Sequence, residues 1–252
     1  MLKRIVETKK EELTRFYLSE NKELPEYSFY NALRNPKRSL ALIAEVKKAS
    51  PSKGIICEDF KPVEISKKYE VANVDAISVL TDEVYFKGDA SYLSEIKQYV
   101  ALPVLRKDFM IDRRQIIDSK HMGADAILLI AAILDVEKLY EFYLEAEELG
   151  LDCLVECHTE KEITTILNKF TPKIMGINNR NLYTFQTNLR QTETLHSYLP
   201  KEVVTISESG IQTYDDIKRL QALQVSGMLV GETLMKQKNP EKIIKQLFGE
   251  EK

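Results

Sequence analysis

The chain predicts an α/β fold, a single (β/α)8 barrel of the TIM type with a helical extension in front. Three observations carry this. Short apolar runs alternate with longer amphipathic ones, the alternation repeats eight times, and the short runs are apolar nearly throughout rather than at every second residue. Near-continuous apolar strands belong to parallel sheets covered by helices, and eight such units point to a closed barrel rather than a doubly wound sheet. A length of 252 residues suits one barrel of this kind.

The strands are expected at residues 40–47, 76–81, 103–107, 126–131, 151–157, 174–178, 203–208 and 227–231. Helices fill the intervals at 63–73, 89–100, 112–123, 135–150, 159–170 and 213–224. In DVEKLYEFYLEAEELG, Val136, Leu139, Tyr140, Tyr143 and Leu144 recur at helical spacing, with Asp135 as N-cap and Gly150 as stop. About forty residues precede the first strand. KRIVETKKEELTRFYLSE reads as a helix and ELPEYSFYNALR as a second turn or short helix. Residues 1–39 are expected to pack on the barrel as an extension, so that residues 1–252 form one domain.

Bulk properties remove several function classes. The net charge is −3 and the two signs are interspersed, so no basic patch invites nucleic acid. The first thirty residues are too charged for a signal peptide, and no apolar run approaches the roughly 20 residues of a membrane span. A cytoplasmic protein with no membrane partner is expected. Cys57, Cys153 and Cys157 make no disulfide framework. Cys153 and Cys157 share a strand face, but no second ligand pair follows, so buried thiols are expected rather than zinc. No G-x-G-x-x-G follows a strand and no G-x-x-x-x-G-K-[ST] is present, which leaves dinucleotide and nucleotide binding through those loops unsupported.

The chemistry is concentrated at strand ends. In a barrel of this kind the active site lies where strands end and βα loops begin. Alternation turns Glu45 and Lys47 inward with Ile43, Lys107 with Leu105, Glu156 with Leu154, Asn178 and Arg180 with Gly176, and Glu208 with Ile206. One charge at a strand end is ordinary, because strand ends are wet. Five strands delivering acids, lysines and amides to one rim is not, since burying such groups is costly unless they pair or serve chemistry. Lysine and glutamate at close range also perturb each other's pKa values, as general acids and bases require.

The last two strands carry a second signal. ISESGI and MLVGETLM each end in a glycine before a polar or helix-starting segment. Loops in these positions often hold a phosphate through backbone N–H groups and a helix N-terminus. Gly210 and Gly231 let backbone approach the anion, Ser209 adds a hydroxyl, and Ser50 and Lys53 in SPSKG close the site from the first strand. A small phosphorylated molecule is the expected partner.

The motifs AEVKKASPSKG, LRKDF, GADAILLIAAIL, LVECHTEKE, GINNRNL, SESGI and LVGETLM resemble, in order, those of the indole-3-glycerol-phosphate synthase family. The resemblance covers essentially the whole chain, including the extension. It implies ring closure of 1-(2-carboxyphenylamino)-1-deoxyribulose 5-phosphate to indole-3-glycerol phosphate, with loss of CO2 and water, in tryptophan biosynthesis. It implies no metal and no organic cofactor. By motif, Lys107 resembles the general acid that donates to the substrate ketone oxygen, and Glu156 the general base for dehydration. Lys47 resembles the lysine at the substrate carboxylate, with Glu45 holding that amine; the division of labour between Lys47 and Lys107 stays open. Asn178 and Glu208 resemble polar residues that orient substrate and lysines, and Ser209 resembles a further ligand beside them. Ser50, Gly210, Gly231 and Glu232 resemble the phosphate site, where a glutamate at 232 would serve only through its backbone N–H. Arg180 resembles a loop-anchoring arginine, and Phe109 would stack on the benzene ring. A phosphosugar isomerase on the same barrel would use an acid–base pair such as Cys and Asp, whereas here the first strand ends in Glu-Val-Lys. A sensor that had lost its chemistry would not retain both lysines and their glutamates. Oligomeric state is not legible, and a monomer is the working expectation.

Overall fold

Eight parallel strands close on themselves in the computed structural model, which describes residues 1–181, 184–237 and 239–250. They are β1 (Ala41–Val46), β2 (Ala76–Leu80), β3 (Val104–Lys107), β4 (Ala126–Ile130), β5 (Asp152–Cys157), β6 (Ile174–Asn178), β7 (Val204–Glu208) and β8 (Gly227–Val230). Each strand pairs with its neighbours in sequence, and β1 pairs with β8 to complete the ring. The strands match the sequence expectation to within a residue at each end.

Alternation sorts the strand residues into two cores. Ala41, Ile43, Ala76, Leu105, Ala126, Leu128, Leu154, Ile174, Val204, Ile206 and Leu229 fill the interior. Leu42, Ala44, Val46, Ile77, Val79, Val104, Ile127, Leu129, Val155, Met175 and Ile177 face out against the helices. Both Cys153 and Cys157 join this outer layer, buried, and burial pushes their thiols well above the usual range. Full burial of one such aliphatic side chain stabilises by about 1.5–3 kcal/mol, so a one-residue slip in any strand would forfeit several such contributions at once.

The helices obey the capping chemistry visible in the sequence. Asp135 accepts from the Lys138 N–H to start the helix Val136–Glu148, and Gly150 follows with φ +73. That helix buries Leu139, Phe142, Tyr143 and Ala146, a stripe rotated from the expected one; Leu144 is 41% exposed. Spacings of three and four from Leu139 lead to Phe142, Tyr143 and Ala146, whereas Leu144 lies a further 100° round the helix.

The extension departs from expectation. Its first helix, Leu2–Leu13, stops short of the predicted end at residue 20. Backbone groups beyond it are captured by the barrel instead: Ser19 N–H donates to Asp118 Oδ1 at 2.8 Å, and Lys22 N–H to the His121 carbonyl at 3.1 Å. Tyr27 and Tyr30 N–H then reach Asp125 Oδ1 at 2.7 Å and Asp152 Oδ2 at 2.8 Å, beside the starts of β4 and β5. A short helix, Phe29–Arg34, drops Phe29 and Leu33 into the interior core. The extension therefore plugs the barrel floor with one end. With the other, its first helix reaches the opposite rim, where Met1, Leu2 and Ile5 line the mouth.

Candidate active site

The mouth at the strand C-termini is a cleft, and every candidate residue of the sequence but one lines it: Glu45, Lys47, Ser50, Lys107, Phe109, Glu156, Asn178, Arg180, Glu208, Ser209, Gly210, Gly231 and Glu232. Lys53 does not; its Nζ lies 3.8 Å from Glu232 Oε1 at the edge. Strand register brings the polar groups together. Asn178 on β6 is level with Glu208 on β7, and Glu156 on β5 with Gly176 on β6.

Lys107 stands at the centre. Its Nζ donates to Glu156 Oε2 at 3.0 Å and to Glu208 Oε2 at 3.2 Å, with 13% of the side chain exposed. Burial alone would lower its pKa, but the charges of Glu156, Glu208 and Glu45 outweigh burial and hold the ammonium above its ordinary range. The two carboxylates diverge. Burial pushes Glu156 up, yet Lys107, His158 and an Asn178 hydrogen bond bring it below the usual carboxylate range. Glu208 is raised, because burial and the neighbouring Glu156 and Glu45 charges exceed the pull of Lys107. Two acids on one ammonium with pKa values driven apart is the arrangement that separates an ionised base from a neutral partner.

Lys47 and Glu45 form a second, close ion pair beside the first. Its space is created by Gly231: a Cβ there would lie 2.1 Å from Glu45 Oε2 and 3.0 Å from Lys47 Nζ. Gly176 does the same for Glu208, with an added Cβ 2.1 Å from its Oε1. Ser209 holds φ +67, uncommon for a residue with a side chain and often found where function constrains the backbone. Arg180 donates from Nη1 to the Phe185 carbonyl at 3.2 Å and to Ser52 Oγ at 3.4 Å, linking the loop after β6 to the small hairpin after β1 in which Ala49–Ser50 pairs with Gly54–Ile55. Glu232 pairs with Lys236 at 2.7 Å, which, after the upward push of burial, helps hold its carboxyl below the usual range.

Sequence reasoning missed part of the wall. Leu80, Phe86, Leu128, Ile130 and Leu229 make its apolar side, where Phe86 and Phe109 sit 6.1 Å apart between ring centroids. It also missed Lys9, whose buried Nζ reaches Asp108 Oδ1 at 3.0 Å, Asp82 Oδ2 at 3.3 Å and Glu12 Oε2 at 2.6 Å. Asp108 follows Lys107 directly and also accepts from Thr81 Oγ1 at 2.7 Å, while Arg106 turns outward to Asp118 at 2.9 Å. In the sequence Lys9 is one charge among many in ETKKEEL, with nothing to mark it as buried. Among the described residues no group of three or more His, Cys, Asp or Glu side chains could hold a metal ion.

An apolar slot opposed to a row of ammonium and carboxylate groups fits a substrate with one aromatic and one anionic end. The profile of the family described as indole-3-glycerol phosphate synthase matches residues 2–247. The chain belongs to the indole-3-glycerol phosphate synthase family. It is 55% identical to the indole-3-glycerol phosphate synthase of Halalkalibacterium halodurans, over 100% of this chain and 98% of that protein. Identity to the Priestia megaterium indole-3-glycerol phosphate synthase is 54%, over 99% and 98%. Solved structures share the fold at low identity. A mutant tryptophan synthase α-subunit from Pyrococcus furiosus superposes with TM-score 0.63 at 15% identity, covering 83% of this chain and 98% of that one. The 3-hexulose-6-phosphate synthase of Salmonella typhimurium gives TM-score 0.63 at 14% identity, covering 82% and 96%. Membership of the indole-3-glycerol phosphate synthase family thus rests on full-length sequence identity, and the barrel on both.

Proposed function

We propose that Lys107 and Glu156 carry out the ring closure of an indole-3-glycerol phosphate synthase in this barrel. The chain is a carboxy-lyase of tryptophan biosynthesis, acting on 1-(2-carboxyphenylamino)-1-deoxyribulose 5-phosphate. The observation that supports the assignment of roles is the placement of one ammonium between two acids of opposite pKa tendency, open to an apolar slot.

The benzene ring lies against Phe109 and the apolar wall, and the phosphate against Ser50, Ser209 and the backbone of Gly210, Gly231 and Glu232. Lys47, held by Glu45, meets the substrate carboxylate. Attack of the ring carbon on the carbonyl carbon develops negative charge on the ketone oxygen, and Lys107 stabilises and protonates it. Loss of CO2 restores the aromatic ring. Glu156 then takes a proton from carbon as hydroxide leaves, which forms the pyrrole double bond. Asn178 and Glu208 orient Glu156 and Lys107. The compartment we propose is the cytoplasm; among the described residues no helix is long and apolar enough to cross a membrane.

The test is direct. The purified chain mixed with the carboxyphenylamino-deoxyribulose phosphate should produce the indole chromophore and release CO2 in equal amounts. Substrate that persists unchanged would reject the activity.

A further inference from the structure

His158 is buried without a use in the steps above. It follows Glu156 by two residues, is 8% exposed, and has neither ring nitrogen in a hydrogen bond. A polar group left so costs about 1–3 kcal/mol, and such an exception calls for a reason. Its surroundings supply one. Nε2 lies 3.5 Å from Glu156 Oε1, on the oxygen that Lys107 does not hold. Nδ1 lies 4.0 Å from Glu162 Oε2. Glu162 stands in the first turn of the helix Glu160–Lys169 with 21% of its side chain exposed, so it meets water. The main chain of His158 is fixed at both ends: its N–H donates to Glu162 Oε2 at 2.5 Å, and its carbonyl accepts from the Gln191 amide.

The proton balance of ring closure calls for a path of this kind. The substrate arrives with an ionised carboxylate, and that carbon leaves as neutral CO2. The carboxylate form of the substrate plus one proton equals indole-3-glycerol phosphate, CO2 and water. Within the site, the ketone oxygen takes one proton and the departing hydroxide a second, while Glu156 recovers one from carbon. One proton must therefore enter from solvent in every turnover, at a time when the substrate fills the barrel mouth.

We propose that His158 is a relay residue that, with Glu162, brings this proton to the Glu156–Lys107 pair. Glu162 takes a proton from water and passes it to Nδ1. The proton on Nε2 moves to the ionised Glu156 at Oε1. Glu156 hands a proton on to Lys107 Nζ, which has given its own to the ketone oxygen, and so returns to the carboxylate. Lys107 then protonates the departing hydroxide and is recharged by the proton that Glu156 takes from carbon. No electrons change hands, and a flip of the imidazole restores the starting tautomer. A small rotation of the ring closes the gaps at Glu156 and Glu162. The proposal rests on the ring-closure reading, because that reaction supplies the proton deficit.

The experiment measures turnover, solvent deuterium isotope effect and response to added imidazole. Wild-type turnover comes first; its absence would reject the ring-closure reading and leave no deficit to fill. In H158Q, kcat should fall about tenfold or more with KM little changed. The isotope effect should rise above wild type, and imidazole in the buffer should restore part of the rate. E162Q keeps the capping role, since its amide oxygen still accepts from the His158 and Thr159 N–H groups, but it cannot carry a proton. It should reproduce the drop in kcat, and the double variant should be no slower than the slower single one. Wild-type kcat in H158Q overturns the relay. So does a slow H158Q that imidazole does not help alongside an E162Q of full activity, the pattern of a ring that only packs. Should H158Q fail to fold, E162Q decides alone, and a wild-type rate with an unchanged isotope effect overturns the proposal.

Discussion

Replacing Lys107 by Met removes the ammonium and keeps most of the apolar stem, so its effects trace to charge. At the observed 3.0 and 3.2 Å, each carboxylate contact is worth about 5 kcal/mol of Coulomb energy at an effective dielectric near 20, before desolvation is subtracted. Breaking a buried pair by truncating one partner typically costs about 3–5 kcal/mol. Here the cost should fall at or below that range, because Glu208 is already pushed toward its neutral form and one shared proton relieves the remaining repulsion. Catalysis has no such relief. A lost donor to a developing oxyanion costs about 2.7–4 kcal/mol, or roughly 10²–10³ in kcat, while the substrate contacts proposed at Lys47, Ser209 and the phosphate loops are untouched, so KM should stay within about tenfold. Linkage gives a further readout. Glu156, depressed in the folded chain, contributes stability that is present above its unfolded pKa of about 4.3 and is lost as pH falls through the folded value. Burial pushes Glu156 up and the Lys107 charge is the main force bringing it down, so the Met variant should be less stable than wild type at neutral pH but lose less stability as pH falls through this window. Steady-state absorbance assays and pH-dependent melting measure both effects. Near-normal turnover in Lys107→Met would refute the general-acid role.

Other perturbations test the remaining parts. Glu156→Gln should stop after decarboxylation, with the undehydrated ring-closed intermediate accumulating in rapid-quench samples; recovery of unreacted substrate alone would count against dehydration as its step. Gly231→Ala should lower kcat by at least about tenfold with little change in melting temperature, since the new Cβ meets Glu45 Oε2 and Lys47 Nζ and must displace their ion pair; unchanged kinetics would show that the pair's position does not matter. Lys9→Met should loosen the first helix, leaving Asp82 and Asp108 buried without their ammonium at a local cost of about 3–5 kcal/mol. Hydrogen exchange over residues 2–13 reads this out, and protection equal to wild type would dismiss the clamp.

The barrel was legible because its signals are local and repeated. Continuous apolar strands, capped helices and inward-phased charges at five strand ends each recur along the chain, and the strict period of two fixed which side chains meet. Lys107, Glu156 and Glu208 could be placed on one rim by counting alone. What stayed hidden depends on contacts between distant segments. The end of the first helix at Leu13 is set by Asp118 and His121, about a hundred residues away, which compete for the backbone of the following segment. The burial of Lys9 depends on Asp82 and Asp108 arriving from two other loops. The role of Gly231 as room for an ion pair, rather than only as a turn beside an anion, required knowing that β8 lies against β1. Propensity carries no trace of such meetings.

Placing two lysines among three glutamates has an electrostatic consequence for substrate binding. If all five were ionised, the rim of Lys47, Lys107, Glu45, Glu156 and Glu208 would carry one net negative charge and repel an anionic substrate. Burial and its acidic neighbours bias Glu208 toward protonation, and in that state the rim sums to zero. In the proposed assignment, the carboxylate of the substrate then meets Lys47 without facing an excess of like charge, and the phosphate settles among Ser50, Ser209 and backbone N–H groups. The neutral Glu208 also gives up less of the Lys107 charge than an ionised one would, so the ammonium keeps its capacity to stabilise the ketone oxygen. Gly176 makes this possible, because any side chain there would force the Glu208 carboxyl out of its buried position. Gly176→Ala should thus return Glu208 toward water and an ordinary carboxylate pKa. It should weaken substrate binding as well as turnover, a combined KM and kcat defect that distinguishes it from the kcat loss expected of Lys107→Met.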